Sequence, residues 1–352
     1  MKELLGNFVC VRMVQANGID LSLFQFDTNL TWAVFFLNAD RTIYGRYGTR
    51  ADKGAVSRIS TAGFRKAMEG ALELHAAYPG NRAALAGKTG PAPRAKSPDA
   101  FPWLRQYPPT LQPATANKSC MHCHELQDSF QRVAREPGKP LPDELLWSWP
   151  LPEWLGIALD PAERATVKSV AAGSAAAKAG FREGDRIVAL EGQPVISIAD
   201  VQWVLQHAKE PGTVKADLDR AGAKVPATLP LARGWRRGGD FSWRFFVHEA
   251  FYTGNLRVKP LTPEEKAPLG LSEKSMGLKV TRVGWPVGPP AEAKKAGFLV
   301  DDVLVEVDGQ SGAWTESDFV AYVAQKKRQG DKLDIAVLRG GKRQNLSLPV
   351  TR

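Results

Sequence analysis

The sequence predicts a multidomain chain of mixed α/β and α+β class, and three observations indicate this. Its 352 residues exceed the usual length of a single domain. One stretch occurs twice in the second half of the chain, each time with alternating strand and helix patterns. A segment rich in Pro and Trp separates this repeat from the N-terminal part. We therefore predict five parts, which are 1–88, 89–153, 154–232, 233–270 and 271–352.

The composition is typical of a globular protein and argues against nucleic-acid binding and against a membrane-spanning helix. Hydrophobic residues make up 43% of the chain and charged residues 24%. The net charge is +10, but Lys and Arg are scattered along the chain instead of forming one basic face, so we do not expect nucleic-acid binding. The longest apolar run, residues 32–37, is much shorter than a membrane helix, so we expect no membrane span.

The repeat pairs "AKAGFREGDRIVALEGQPV" at 177–195 with "KKAGFLVDDVLVEVDGQSG" at 294–312. Asp185 aligns with Asp302 in this pairing. Each copy reads as an extended segment, a short helix, a strand, a longer helix and a last strand. The longer helices begin with Ser197 and Thr315, each followed three residues later by an aspartate, a spacing that can cap a helix.

The glycine pattern of the first copy resembles that of the bacterial PDZ domain found beside periplasmic proteases. The matching pairs are Gly173-Ser174, Ala179-Gly180 and Gly184-Asp185. In the second copy Gly288-Pro289 replaces the first pair and Asp301 replaces the glycine of the third, so this copy is more degenerate. The resemblance implies two PDZ-like β-barrel domains, the first over 154–232 and the second over 271–352.

A PDZ domain implies peptide docking, in which an extended ligand adds to the edge of the strand that follows a glycine-containing loop. The partner would be a protein C-terminus or an extended segment of a protein. An alternative is that one or both copies are packing modules with a covered groove. No G-x-S-x-G or other nucleophile motif accompanies the copies, so no protease triad is expected. The predicted peptide-binding residues are Trp154, Leu155, Gly156, Ile157, Ala158 and Leu159 in the first copy and Met276, Gly277 and Leu278 in the second.

The N-terminal part reads as a strand over "NFVCVRMVQ", a hairpin over "LTWAVFFLNADRTIYGRYG" and a helix over "TAGFRKAMEGALELHAAY". Cys10 lies in the first strand and is expected to be a buried, inert thiol. This order resembles the later part of a thioredoxin-like fold. The redox pair of that fold is absent, and Thr31 stands where a cis-proline is expected. We therefore predict a partial thioredoxin-like domain over 1–88 and assign no catalytic residue.

The segment 89–153 contains "NKSCMHCHELQD" at 117–128, a C-x-x-C-H motif. This spacing is typical of covalent c-type haem, with Cys120 and Cys123 as thioethers and His124 as the iron ligand. A zinc site is an alternative, in which Cys120, Cys123 and one of the two neighbouring histidines supply three of four ligands. A redox dithiol is a further alternative, although the motif follows a Pro-rich loop instead of a strand.

Taken together, these parts resemble the bacterial thioredoxin-like/PDZ proteins, some of which carry selenocysteine at the redox site. The resemblance implies an exported redox or electron-transfer protein with a redox partner. Haem attachment occurs outside the bacterial cytoplasm, yet the N-terminus lacks a signal-peptide pattern. We therefore hypothesise that Met1 is an internal methionine of a longer reading frame. The alternative function is a non-enzymatic PDZ scaffold whose Cys-His motif is structural.

Overall fold

The structure, a computed structural model, describes residues 1–13, 15–30, 32–50, 58–107, 121, 123–136, 138–244, 252–284 and 291–351. The chain forms two compact units, each built from two stretches of sequence. The first contains Met1–Ser129 and Trp147–Gly239, and the second contains Phe130–Leu146 and Asp240–Arg352. Over the described ranges, none of the helices combines the length and the apolar character that a bilayer crossing requires.

The N-terminal part of the first unit contains a β-hairpin packed against one long helix. Its elements are α1 (Lys2–Leu5), β1 (Val34–Leu37), β2 (Ile43–Tyr47), α2 (Thr61–Ala76) and α3 (Arg82–Leu85). The two strands pair antiparallel, with Val34 opposite Tyr47. The hydroxyl of Ser60 accepts a hydrogen bond from the Gly63 amide at 2.9 Å and so caps α2. The predicted hairpin and helix are therefore confirmed.

The predicted first strand is wrong. Residues 8–13 form no strand, and Val9 is 95% exposed. Cys10 is exposed instead of buried. Alternating apolar residues predict a strand only where a neighbouring strand can pair with them and a core can cover one face, and neither lies against this segment in the described part of the chain. Thr31 lies outside the described residues.

The first repeat copy also belongs to the first unit and contains two open sheets. β3 pairs with β4, and the other strands lie in the order β6-β5-β7-β8. The aligned aspartate, Asp185, is fully buried and receives two hydrogen bonds from Arg220. The elements are β3 (Ile157–Leu159), β4 (Val167–Val170), α6 (Ala175–Lys178), β5 (Arg186–Leu190), β6 (Gln193–Pro194), α7 (Ile198–His207), β7 (Gly212–Arg220) and β8 (Ala223–Leu231).

The N-terminal part packs on this copy through α7. Ile196 joins the core cluster of Phe36 and Met68. Lys88 and Asp200 form an ion pair of 3.0 Å in which both side chains are only 1% exposed. Burial lowers the pKa of the Lys88 ammonium group, and the nearby Asp200 carboxylate opposes that shift. Residues 1–88 and the first copy therefore pack directly on each other within one compact unit, and each keeps its own apolar cluster.

The Pro- and Trp-rich segment contributes α4 (Cys123–Arg135) and α5 (Asp143–Leu146). The first turns of α4 pack within the first unit. The Trp103 indole donates a hydrogen bond to the Ser129 hydroxyl at 2.7 Å, and the Tyr107 hydroxyl donates one to the Glu125 carboxylate at 2.9 Å. The last two residues of the C-x-x-C-H motif, Cys123 and His124, therefore belong to a helix.

The second copy forms one open sheet in the order β13-β12-β11-β10-β9. Thr315 and Asp318 form the predicted capping box at the start of its long helix. In the first copy Ser197 caps α7 through the Ala199 amide, whereas the Asp200 carboxylate accepts from the Ile196 amide. The elements of the second copy are β9 (Leu256–Pro260), α8 (Pro263–Lys266), β10 (Leu278–Val283), α9 (Glu292–Lys295), β11 (Val303–Val307), α10 (Glu316–Lys326), β12 (Lys332–Arg339) and β13 (Lys342–Pro349).

One sequence prediction about the copies needs correction. Residues 256–266, which lie in the predicted linker 233–270, form β9 and α8, and β9 pairs with β10 from Leu256 to Pro260. Neither copy is a closed barrel in the described part of the chain, because the sheets have distinct first and last strands. The fold is a mixed helix and sheet chain with open sheets.

Candidate peptide grooves and the Cys-His segment

In the loop before β3, the backbone of Gly156 lies close to the side chain of Ser174. The turn Pro152–Leu155 ends at Gly156, whose φ of 87° lies in the left-handed region. A Cβ atom at Gly156 would collide with the side chain of Ser174, the N-cap of α6. Both the backbone angle and the lack of space therefore require glycine at this position.

β3 offers one open edge. The Gly156 carbonyl accepts from the Ala171 amide at 2.9 Å, and the Asp160 amide donates to the Thr166 carbonyl at 2.9 Å. These bonds point toward β4, so the main-chain groups of Ile157 and Leu159 point the other way. In the part of the chain that the structure describes, no strand pairs with that second edge. The edge can therefore receive a further strand.

The side chains of the predicted loop and strand serve mainly the core. Leu155, Ile157 and Leu159 are at most 4% exposed and belong to the central cluster of the first copy. Ala158 is half-buried, and Trp154 is half-buried against the backbone of Gly239. These residues can give a ligand backbone hydrogen bonds more readily than side-chain pockets.

One face of α7 is covered by the chain itself. The Gln202 side-chain amide donates to the Trp149 carbonyl at 3.0 Å, and the Gln206 side-chain oxygen accepts from the Trp149 amide at 2.5 Å. Every residue from Ile198 to Leu205 is buried. The helix is therefore not fully available to a ligand, which agrees with part of the alternative that a groove is covered.

In the second copy the predicted residues lie in the middle of the sheet. Leu278 begins β10 and pairs with Leu304 on one side and Pro260 on the other. The Met276 amide donates to Ser311, the Gly277 carbonyl accepts from Leu261, and Met276 and Leu278 are fully buried. Peptide binding by these three residues stays a prediction, and a strand paired on both edges has no edge for a ligand.

The edge strand of the second copy is β9, which corresponds in order to β3. The Val258 amide donates to the Glu316 carboxylate at 3.0 Å, and the Arg257 guanidinium lies 3.6 Å from that carboxylate. The N-terminal turn of α10 therefore covers the centre of this edge. Sequence reasoning missed β9, Gln202 and Gln206, although the alternation of Leu256 and Val258 is a strand signal.

The Cys-His motif is only partly within the described residues. Cys123 and His124 are the first two residues of α4 and are half-buried, whereas Cys120 and His122 lie outside the described residues. The Met121 amide donates to the Asn17 side chain at 2.9 Å. The adjacent Cys123 and His124 at a helix start fit the second thioether and the iron ligand of a c-type haem. Among the described residues, no three His, Cys, Asp or Glu side chains lie together as metal ligands, and Cys120 and His122 are outside those residues, so zinc stays an alternative.

Comparison with known proteins identifies both repeat copies. Family models for the PDZ domain match residues 166–218 and residues 269–350. The chain therefore contains two PDZ domains.

Solved structures of the HtrA-type protease AlgW match only in part. A variant of AlgW with a decapeptide is 34% identical over 27% of each chain, with a TM-score of 0.24. The variant with a tripeptide is 36% identical over 27% of this chain and 30% of that chain, with a TM-score of 0.21. AlgW with a decapeptide is 23% identical over 40% of this chain and 49% of that chain, with a TM-score of 0.22. The chain thus spans about a quarter to a half of these proteins.

Proposed function

We propose that the first PDZ domain docks an extended peptide segment of a partner protein along the open edge of β3. The observation that carries this proposal is that β3 pairs with β4 on one edge only, among the described residues, and follows the left-handed turn at Gly156. An added strand would bond to the main chain of Ile157 and Leu159, which point away from β4. Loop amides near Gly156 would receive a terminal carboxylate.

The test uses fluorescein-labelled decapeptides that end in a free Phe, Val or Ala carboxylate, each with an amidated counterpart. Fluorescence polarisation with the full chain should show tighter binding of the free carboxylates. Gly156→Ala should weaken binding at least tenfold, because the new Cβ collides with Ser174. Gly173→Ala is the matched control, since its φ is 71° but no atom lies within 4 Å of the added Cβ.

The control should lower stability only through its backbone angle, and it should leave affinity within twofold of the unmodified chain. The docking proposal fails when none of the peptides binds, or when Gly156→Ala and Gly173→Ala weaken binding equally. Circular dichroism spectra of both variants verify that they are folded.

We propose further that Cys120 and Cys123 attach a c-type haem and that His124 ligates its iron, so that the protein transfers electrons to or from a redox partner. The residue spacing and the position of Cys123 and His124 at the start of α4 support this. A bound haem would supply one-electron chemistry. The role of the chain would be to fix the porphyrin through its thiols and to orient the His124 imidazole from the first turn of α4.

The haem proposal implies export, because covalent haem attachment in bacteria takes place outside the cytoplasm. We also propose that residues 1–88 derive from a thioredoxin-like fold, as in bacterial thioredoxin-like/PDZ proteins. The order of β1, β2 and α2 supports that relationship. A redox function of that part is not assigned, since the chain has no thioredoxin-type cysteine pair there.

The haem test is co-expression with a periplasmic haem-attachment system, the chain being directed there by a fused signal sequence. We expect a Soret band and reduced α and β bands that survive acid-acetone extraction. Cys123→Ser should give a different haemochrome spectrum with one thioether fewer, and Cys10→Ser should leave the spectrum unchanged. A colourless protein with one zinc ion per chain would contradict the haem proposal and favour a structural Cys-His motif in a PDZ scaffold.

A further inference from the structure

The second unit contains a cavity of about 750 Å³ at the C-terminal ends of α4 and α10. Arg135 lines it from α4, and Lys326 and Arg328 line it from the end of α10. Among the described residues of its wall, six are Lys or Arg and one, Glu136, is acidic. A volume of this size is within the range of small-molecule binding sites.

Arg135 is held in position on two sides. Its Nη2 donates a hydrogen bond to the Lys327 carbonyl at 2.8 Å, and its guanidinium carbon lies 4.8 Å from the centre of the Tyr252 ring. Its Nη1 is buried and has no hydrogen-bond partner. A buried N–H group of this kind is rarely left unpaired in a folded protein. The guanidinium is therefore held in a fixed orientation at the wall of the cavity.

Three other cations at the cavity have no carboxylate partner within the described residues. These are Lys139, Lys326 and Arg328, whereas the Lys327 amine forms an ion pair with Asp308 at 2.8 Å. Basic residues at helix C-termini commonly interact with the helix dipole. That role accounts for positive charge on the last turns, but it does not account for the cavity that these cations line.

We propose that this cavity binds a small organic phosphate with two or more anionic groups. Guanidinium groups pair with phosphate through two parallel hydrogen bonds, and lysine ammonium groups supply additional charge without fixed geometry. The unpaired cations converge on one compact cavity instead of lining an extended groove. This arrangement favours a compact polyanion over an acidic peptide.

The test is isothermal titration calorimetry of the full chain with pyrophosphate and with ATP. Both should bind at low ionic strength and weaken strongly as salt is raised, because the recognition is electrostatic. Arg328→Gln should weaken binding at least fivefold and Arg135→Gln at least tenfold. Lys342→Gln is the matched control, since Lys342 is an exposed residue of the same unit and its replacement removes the same charge.

The control should stay within twofold of the unmodified chain. If Arg135→Gln does not fold, Arg328→Gln alone decides the outcome. The Arg328 side chain is exposed, so its replacement should not prevent folding. Equal losses in Arg328→Gln and Lys342→Gln would mean that only net charge matters and would overturn the proposal. Absence of binding by both phosphates, or binding of an oligo-aspartate peptide without binding of pyrophosphate, would also overturn it.

Discussion

Arg220 donates two hydrogen bonds to the buried carboxylate of Asp185, from Nε at 2.7 Å and from Nη2 at 2.8 Å. The second copy repeats the relationship, with Arg339 bonded to Asp302 at 2.7 Å from both nitrogens. Each pair ties the segment before the third strand of its copy to the strand that follows the long helix. The internal repeat is therefore a repeat of specific contacts as well as of sequence.

We expect Asp185→Asn to destabilise the first PDZ domain by about 2–3 kcal/mol, because the Arg220 guanidinium loses a charged partner at a buried site. Hydrogen exchange of peptides that cover β5 and β7 measures the local free energy of opening. Asp217→Asn is the control, since Asp217 is exposed on β7. Unchanged exchange in Asp185→Asn would show that the pair does not stabilise the domain.

We expect the stability difference between the unmodified chain and Asp185→Asn to depend on pH. The hydrogen bond from Arg220 lowers the pKa of the Asp185 carboxyl below its ordinary value. Its stabilising contribution is therefore complete above the unfolded pKa of about 3.9 and is lost as the pH falls through the folded pKa. The stability difference between the unmodified chain and Asp185→Asn should be constant above about pH 5 and shrink at lower pH. A difference that grows on acidification would contradict this assignment.

We expect Lys88→Met to destabilise the packing of residues 1–88 on the first PDZ domain by about 3–5 kcal/mol, since it leaves Asp200 buried without its cation. Hydrogen exchange in β2 should increase, because the Arg46 amide also donates to Asp200. The control is Lys96→Met at an exposed lysine. Equal exchange in the two variants would exclude a role for the buried pair.

Gly63→Ala should lower the melting temperature, although alanine is favoured over glycine within a helix by about 1 kcal/mol. The added Cβ would collide with the backbone carbonyl of Pro161, which cannot move as a side chain can. Gly238→Ala is the control, because no atom lies within 4 Å of its added Cβ. Differential scanning calorimetry separates the two, and a rise in Gly63→Ala would refute the close contact.

The sequence predicts the repeated elements well because the chain contains the same pattern twice, once in each copy. The strands β5 and β11, the helices α7 and α10, and the aligned Asp185 and Asp302 all follow from it. The order of β9 and β10 does not follow from the repeated pattern, because α8 and a longer loop lie between these two strands. The predicted groove of the second copy therefore includes Met276 and Leu278, which lie within the sheet instead of at its edge.

Cys10 illustrates a second limit, because burial depends on neighbours that a local pattern cannot supply. Gln202 and Gln206 illustrate a third. Both read as ordinary polar residues of a helix, and only the tertiary fold brings the Trp149 backbone against them. The peptide-binding and haem-binding assignments remain predictions at Gly156, Cys123 and His124.

The contact between Arg46 and Asp200 spans 154 residues of sequence, which has a consequence for synthesis on the ribosome. At a translation rate of about 5–20 residues per second, the hairpin of β1 and β2 emerges roughly 8–30 s before its partner helix. During that interval α2 can cover one side of the hairpin, but the side of β2 that packs against α7 has no native surface to cover it. The nascent chain should therefore depend on a holding chaperone until Asp200 has left the exit tunnel.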